Sequence, residues 1–323
     1  MAKRLLVIDA LNMYYRAYIV NPTLSTNGQP IGGMVGFLKI LQKLCRETHP
    51  DEIIVCWDGE GGSRKRKLVN KNYKAGRNPI RLNRDIRNLT ENEEIENKVW
   101  QQTRLAEYLN NLAVIQLMLA AVEADDIIAQ VVQNPRYEEW QRVIVSSDKD
   151  FLQLCDGNTV LFRPIQKEVL NSNDIVKKYK IHPNNFALAR AIVGDKSDNL
   201  QGVGGVGLAT VAKRFPFLAE EKSYTITEIL DQCEKADSNL KVYDSILENE
   251  DVVKSNYKMM QLYAPSISVQ GKRKIKSTIK NFIPEFNLTR TRTMIIEDGF
   301  AETGLEDLFS TMKRIVVESK NKD

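Results

Sequence analysis

The sequence predicts an α/β fold built on a parallel β-sheet flanked by helices, and three observations carry that prediction. Short apolar runs rich in β-branched residues occur at Leu5–Asp9, Ile53–Gly59 and Val143–Asp150, without alternating polarity. That pattern marks strands buried on both faces of a parallel sheet. Helical periodicity fills the intervals, as in Met34–Glu47, where Val35, Leu38, Leu41 and Leu44 recur at steps of three. Each run also stops at or beside an aspartate, and in open α/β sheets the ligand crevice lies beyond the carboxyl ends of the strands.

Taken in order, the first run ends in Asp9 and the second reaches Asp58. A fourth strand near Val114–Leu119 leads into VEADDIIAQVV, which puts Glu123, Asp125 and Asp126 at a strand-to-helix handover on the same rim. The run VIVSSDKD supplies Asp148 and Asp150, which point the same way if extended geometry persists. Asp195 and Asp198, three apart in GDKSDNLQ, suit one face of a helical turn. Singly, each acid has a commoner explanation as a turn former or a helix cap. Together they place nine carboxylates at one edge, where mutual repulsion raises pKa values. Divalent cations relieve such crowding, hard Mg²⁺ prefers oxygen ligands, and paired metals suit phosphodiester hydrolysis.

Bulk properties exclude several alternatives. At 323 residues the chain exceeds the usual single-core size, so two domains are expected. Its 42% apolar and 27% charged content is that of a soluble protein. No apolar run approaches the roughly 20 residues of a membrane span, and Asp9 and Asn12 interrupt the N-terminus too early for a signal peptide. A cytoplasmic location is expected. Cys45, Cys56, Cys155 and Cys233 are widely spaced, and His49 and His182 have no Cys or His nearby, which argues against zinc and against histidine-based hydrolysis.

The net charge of +4 hides segregation. Between Arg64 and Arg87 stand ten Lys or Arg against one acid, Asp85. Such runs are most often solvated loops, but this one emerges beside Asp58, from the acidic rim, where it would draw in a polyanion. Its low hydrophobicity predicts disorder until substrate arrives. Tyr73 is a candidate to stack on a base.

Gly202, Gly204 and Gly207 spell G-x-G-x-x-G, the dinucleotide fingerprint. That motif requires a preceding strand within a βαβ unit, and GDKSDNLQ reads as a polar turn, so NAD is set aside. A glycine turn between short helices instead offers backbone N–H groups to a phosphate, and GVGGVGLATVAKRF reads as a helix-turn-helix element gripping duplex phosphates without reading sequence.

The segments VIDALN, VCWDG, NYKAGRNP, VEADDIIA, SSDKDFLQL and GDKSDNLQGVGGVGLATVAKRF, in that order over roughly residues 5 to 215, resemble the 5′-nuclease family. It includes the 5′→3′ exonuclease domain of bacterial DNA polymerase I, flap endonucleases and stand-alone phage exonuclease or ribonuclease H enzymes. The resemblance implies a PIN-like catalytic domain over 1–185 with a basic arch around 60–98, then a helical DNA-binding region over 186–323 with a helix-two-turn-helix near 194–216. It implies one metal group of Asp9, Asp58, Glu123, Asp125 and Asp148, and a second drawn from Asp126, Asp150, Asp195 and Asp198. Two Mg²⁺ ions are implied, with Mn²⁺ as a substitute and K⁺ in the helix-two-turn-helix.

Lys74 and Arg77 are implied at the scissile phosphate, so the catalytic set is Lys74, Arg77, Asp148 and Asp150. Arg64, Lys65, Lys67, Tyr73, Lys74, Arg77, Arg81, Gly202, Gly204, Gly205, Gly207 and Lys213 are implied to contact DNA. The expected substrate is DNA or RNA–DNA with a 5′ end, flap or fork, handled by a monomer in primer removal during replication or repair. A single-strand DNA-binding protein is a candidate partner for the tail. Rival readings are a non-catalytic DNA-junction binder on the same scaffold, a dehydrogenase and a PIN-type ribonuclease. The stretch Gly271–Lys280, with five basic residues, reads as a solvated strand or loop at least as well as a DNA-facing surface.

Overall fold

In a computed structural model of the chain the described residues are 2–76, 81–82, 86, 89–236, 240–300 and 304–321. Six strands form one sheet: β1 (Arg4–Asp9), β2 (Glu52–Trp57), β3 (Ile115–Met118), β4 (Gln141–Val145), β5 (Thr159–Arg163) and β6 (Glu168–Leu170). Their spatial order is β3-β2-β1-β4-β5-β6, parallel throughout except for the antiparallel pair β5–β6. Alternate residues of these strands serve two separate apolar layers. Leu5, Val7, Ile54, Cys56 and Ile144 face one layer, and Leu6, Ile8, Ile53, Val55 and Val145 face the other. Burial on both faces explains the lack of alternating polarity in the sequence.

Helices α1 (Ala10–Val20), α2 (Gly32–Thr48), α3 (Arg64–Val69) and α4 (Glu91–Asn110) fall between the first three strands. Helix α5 (Ala124–Val132) joins β3 to β4, and α6 (Ser172–Tyr179) and α7 (Pro183–Val193) follow β6. Because β2 and β3 lie on one side of β1 while β4 lies on the other, the chain reverses direction at the β1–β4 boundary. Such a switch point opens a crevice at the carboxyl edge.

The segment GDKSDNLQ departs from the expected turn. Gly194–Asp195 (β7) and Leu200–Gln201 (β8) form a small antiparallel hairpin around a 3₁₀ turn at Lys196–Asp198. Gly202 has a structural task there: a Cβ on it would lie 2.1 Å from the carbonyl carbon and oxygen of Val193. The following glycines open into α8 (Leu208–Arg214).

Helices α9 (Ile226–Lys235), α10 (Lys241–Glu248) and α11 (Glu250–Met260) come next, then α12 (Val269–Lys280), α13 (Leu288–Glu297) and α14 (Glu306–Lys320). The stretch expected as a strand or loop is thus the helix α12. Ser268 caps it, its Oγ accepting the Gly271 N–H at 3.1 Å, and Ile275 and Ile279, one turn apart, are its buried face. The boundary expected at 185/186 is crossed by both apolar layers. α7, α11 and α12 share the layer holding Leu5 and Val7, while Met294, Leu308 and Met312 of α13 and α14 return to the layer holding Leu6 and Ile8. No helix among the described residues is long and apolar enough to cross a membrane.

Candidate active site

One cleft of about 1010 Å³ lies at the carboxyl edge of the sheet. Asp9, Asp58, Glu123, Asp125, Asp148, Asp150, Asp195 and Asp198 all line it, with Arg66, Tyr73, Lys74 and Arg190. Eight of the nine acids singled out by sequence therefore share one wall system. The ninth, Asp126, is turned aside: its carboxylate accepts the Ser266 N–H at 2.7 Å and meets Arg66 at 3.3 Å.

Local structure sets each position. Asp9 ends β1 and caps α1, accepting the Asn12 N–H at 3.2 Å with one oxygen and the Ser146 hydroxyl at 2.9 Å with the other. This second bond ties β1 to the end of β4 across the switch point. Asp58 follows β2 and accepts the Ala124 N–H at 3.0 Å. It thereby caps α5, and Glu123, at the N-cap position itself, makes no side-chain cap bond.

Glu123 is instead buried among cations and a phenol: it accepts from Arg66, from the Tyr73 hydroxyl at 3.0 Å and from Lys74 Nζ at 2.8 Å. Asp148 and Asp150 share the cleft through a turn, not through strand alternation. Asp150 opens a 3₁₀ helix, and its N–H donates to Asp148 at 2.8 Å. Asp195 and Asp198 are likewise brought in by the hairpin turn, where Asp195 accepts from Ser197 N–H at 2.7 Å.

Two arginines that sequence inspection did not single out organise these acids. Arg66 contacts Glu123, Asp125 at 3.0 Å, Asp126 and the Met259 carbonyl at 3.0 Å. Arg190 of α7 donates to Asp150 at 2.9 Å and to Asp195. No three acidic, His or Cys side chains among the described residues stand close enough to hold an ion as placed. The donor set is nevertheless all oxygen, which fits a hard divalent cation.

Burial, more than the repulsion expected from sequence, raises the acid pKa values. Asp9 is pushed up to about 7 by burial first and by Asp58 second. Burial also raises Asp58, with Asp125 adding to it, and raises Asp148 and Asp150. Asp125 runs the other way: burial would raise it, but Arg66 and Lys74 outweigh that and hold it below the ordinary range.

These shifts fix a pH dependence. An unfolded Asp titrates near 3.9, so between about pH 4 and pH 7 Asp9 keeps a proton in the folded protein that it has lost in the unfolded chain, and its contribution to stability falls as pH rises through that window. Metal-free protein is expected to melt higher at pH 5.5 than at pH 8, with a smaller difference in Asp9→Asn. A higher melting temperature at pH 8 in the absence of metal would contradict the shifts.

The first part of the basic segment is folded, contrary to the expectation of disorder. α3 forms, the Lys74 N–H donates to the Asp198 carbonyl at 2.9 Å, and Asn199 Nδ2 donates to the Asn72 carbonyl at 3.0 Å. Tyr73 is only 2% exposed and cannot serve as an open stacking platform; its ring packs under Lys74 Nζ, 5.0 Å from the centroid. Arg64, Lys65 and Lys67 are exposed, with Lys65 donating to the Ser266 carbonyl at 2.7 Å. Arg81 pairs with Glu91 and Glu94 at the start of α4. Arg77 lies outside the described residues. Gly204, Gly205 and Gly207 face open space, Gly205 with φ +74, and Lys213 is exposed nearby on α8.

A carboxylate-lined cleft at a parallel-sheet switch point, with a lysine held over it by an adjoining basic segment, defines a phosphodiester hydrolase of the acid-cluster type. The family model described as "5′-3′ exonuclease, N-terminal resolvase-like domain" matches residues 4–180, and the chain belongs to that family of 5′ nucleases. It is 29% identical over 213 residues to a 5′-3′ exonuclease of Aquifex aeolicus, covering 64% of this chain and 67% of that one. It is also 29% identical over 245 residues to DNA polymerase I of Caldicellulosiruptor bescii, covering 74% of this chain but only 26% of the polymerase. The fold is shared with the bacteriophage T5 flap endonuclease, solved in a pseudo-enzyme–product complex with DNA and metal ions. The TM-score there is 0.65 at 18% identity, over 93% of this chain and 100% of the other. The non-catalytic reading is not favoured, since the matching family model and the Aquifex relative are 5′-3′ exonucleases.

Proposed function

We propose that the chain is a structure-specific 5′ nuclease that hydrolyses phosphodiesters at 5′ ends or flaps of DNA or RNA–DNA, removing primers in replication or repair. The observation that carries this is the convergence of eight carboxylates in one cleft that Lys74 also lines, 2.8 Å from Glu123. Asp9, Asp58, Glu123, Asp125 and Asp148 would hold one Mg²⁺, and Asp150, Asp195 and Asp198 a second, with Asp126 behind them and Mn²⁺ as a substitute. Bound metals in such a pair activate water and stabilise the leaving oxygen. Lys74 contacts the scissile phosphate and offsets its developing charge, with Arg77 as its assigned partner.

Duplex binding belongs to the 186–323 portion, where the open backbone at Gly204, Gly205 and Gly207 admits a phosphate closely and Lys213 adds charge. A K⁺ ion belongs in the same turn. Gly202 is assigned to holding the hairpin against α7, in place of a direct DNA contact. Arg64, Lys65 and Lys67 line the path of the single-stranded 5′ end. The enzyme acts as a monomer, and a single-strand DNA-binding protein is the assigned partner of the tail.

Separate grips on duplex and single strand make a junction the preferred substrate. With Mg²⁺, a 5′-labelled flap is expected to be cut at least about tenfold faster than the same strand alone, about 1.4 kcal/mol of discrimination at the transition state. Equal rates on flap, single strand and blunt duplex would remove structure specificity from the proposal.

A further inference from the structure

A second recess adjoins the carboxylate cleft. Its volume is about 520 Å³, and it shares Leu11 and Asp58 with the cleft, so the two are neighbours. The walls are largely apolar: Trp57 at the end of β2, Leu117–Leu119 at the edge strand β3, Ala106 of α4 and Ile275 of α12. Trp57 is fixed by its indole N–H, which donates to Gln116 Oε1 at 3.0 Å. Met118, on the edge strand β3, is 59% exposed. Lys274 and Thr278 form the rim on the α12 side.

Lys274 is the one cation among the residues lining the recess, opposite the Asp58 that it shares with the cleft; Lys272, Arg273, Lys276 and Lys280 line a separate groove on the other flank of α12. α12 carries Lys272, Arg273, Lys274, Lys276 and Lys280 and no acid. Among the described residues none of the five is paired with a carboxylate. With Ile275 and Ile279 turned inward, the lysines must face solvent. An apolar slot with one indole wall and an ammonium at its mouth matches a flat heteroaromatic ring bearing an anionic group. Its size lies within the range of small-ligand sites. A purely apolar partner would match the slot but not Lys274.

We propose that this recess takes one unpaired nucleotide of a single-stranded nucleic acid, with the base against Trp57 and Met118 and the phosphate toward Lys274. The inference rests on the nuclease reading and adds to it a specificity subsite. An unpaired nucleotide next to the cleavage position is held there with its phosphate at the Lys274 rim. Stacking of this kind tolerates any base, so the subsite selects for strand separation and not for sequence.

Trp57 supplies the readout. In the full chain carrying Trp100→Phe and Trp140→Phe, with EDTA present, a short oligothymidylate is expected to quench Trp57 emission saturably, in step with the anisotropy of a labelled copy of the oligonucleotide. Lys274→Ala is expected to lower the slope of log affinity against log salt by about 0.7, the value for one phosphate contact on a single strand. Ala106→Phe, which fills the recess, is expected to abolish quenching. Lys274 is exposed, so its variant reports even if the filled variant fails to fold.

Trp57 emission unchanged at saturating oligonucleotide overturns the proposal, as does an unaltered salt slope in Lys274→Ala. Quenching by an apolar peptide with none by oligothymidylate overturns it in favour of a protein partner. The two readings fail separately. A wild type that cuts a 5′ flap while Trp57 stays silent loses only the recess, whereas one that cuts nothing with Mg²⁺ loses the nuclease reading.

Discussion

Replacing Lys74 with alanine is expected to slow single-turnover cleavage of a 5′ flap by about 10²–10³-fold, the usual effect of removing one preorganised donor from a transition state. Substrate affinity is expected to change far less. Lys74 is unusually constrained for a surface lysine. Its backbone has φ +55, in the left-handed region that side chains other than glycine seldom adopt. Its N–H is bonded to the Asp198 carbonyl, and its ammonium lies 2.8 Å from Glu123 over the Tyr73 ring. A long side chain fixed at both ends delivers its charge to one place, at little entropic cost when substrate arrives. Lys74→Arg, with a planar fork in place of a point charge, is expected to restore only part of the rate. A loss of affinity at unchanged single-turnover rate would make Lys74 a tether.

The second large effect is on stability. Arg66→Met is expected to destabilise the metal-free protein by about 3–5 kcal/mol, because it leaves buried charge uncompensated. Arg66 is itself buried, and its guanidinium is the common partner of Glu123, Asp125 and Asp126. Without it those acids face one another, and Asp125 loses the main influence that keeps it ionised. A bound divalent cation stabilises the folded state by mass action and substitutes for part of the missing charge. Saturating Mg²⁺ is therefore expected to raise the denaturation midpoint of Arg66→Met more than that of wild type. Equal metal-free midpoints for the two proteins would show that the arginine is dispensable to the fold.

Much of the site could be read before folding was considered. Asp9, Asp58 and Asp148 follow β-branched apolar runs in chain order, which puts each at the carboxyl end of its strand. The order of those runs puts the acids on one edge. What escaped were features that depend on pairing across the chain. Arg66 sits in a basic run where it looks like its neighbours, yet it alone of Arg64–Lys67 is buried. Arg190 left a fainter trace, as a single charge within the apolar helix FALARAIV.

Tyr73 looked like a stacking residue because it lies among lysines. Its burial follows from the contact of the 72–75 turn with Asp198 and Asn199, more than 120 residues away. Gly202 and Gly204 are identical in sequence terms. Only the packing of Gly202 on Val193 separates a structural glycine from an open one. The helix α12 did carry local signals, Ser268 as a cap and Ile275 with Ile279 one turn apart, but its β-branched and basic composition masked them. The return of α14 onto α2 had no local signal at all, since its amphipathic face fits any apolar layer.

Anionic side chains from separate elements are expected to act together, through divalent metal, on a nucleic-acid phosphodiester. The most direct measurement follows a 5′-labelled flap in three reactions: wild type with Mg²⁺, wild type with EDTA, and Asp148→Asn with Mg²⁺. The substitution keeps the shape of the side chain and removes one negative charge from the cleft floor. Rapid cleavage is expected in the first reaction, none in the second, and a rate at least about 10²-fold lower in the third. Equal cleavage in all three would contradict the account.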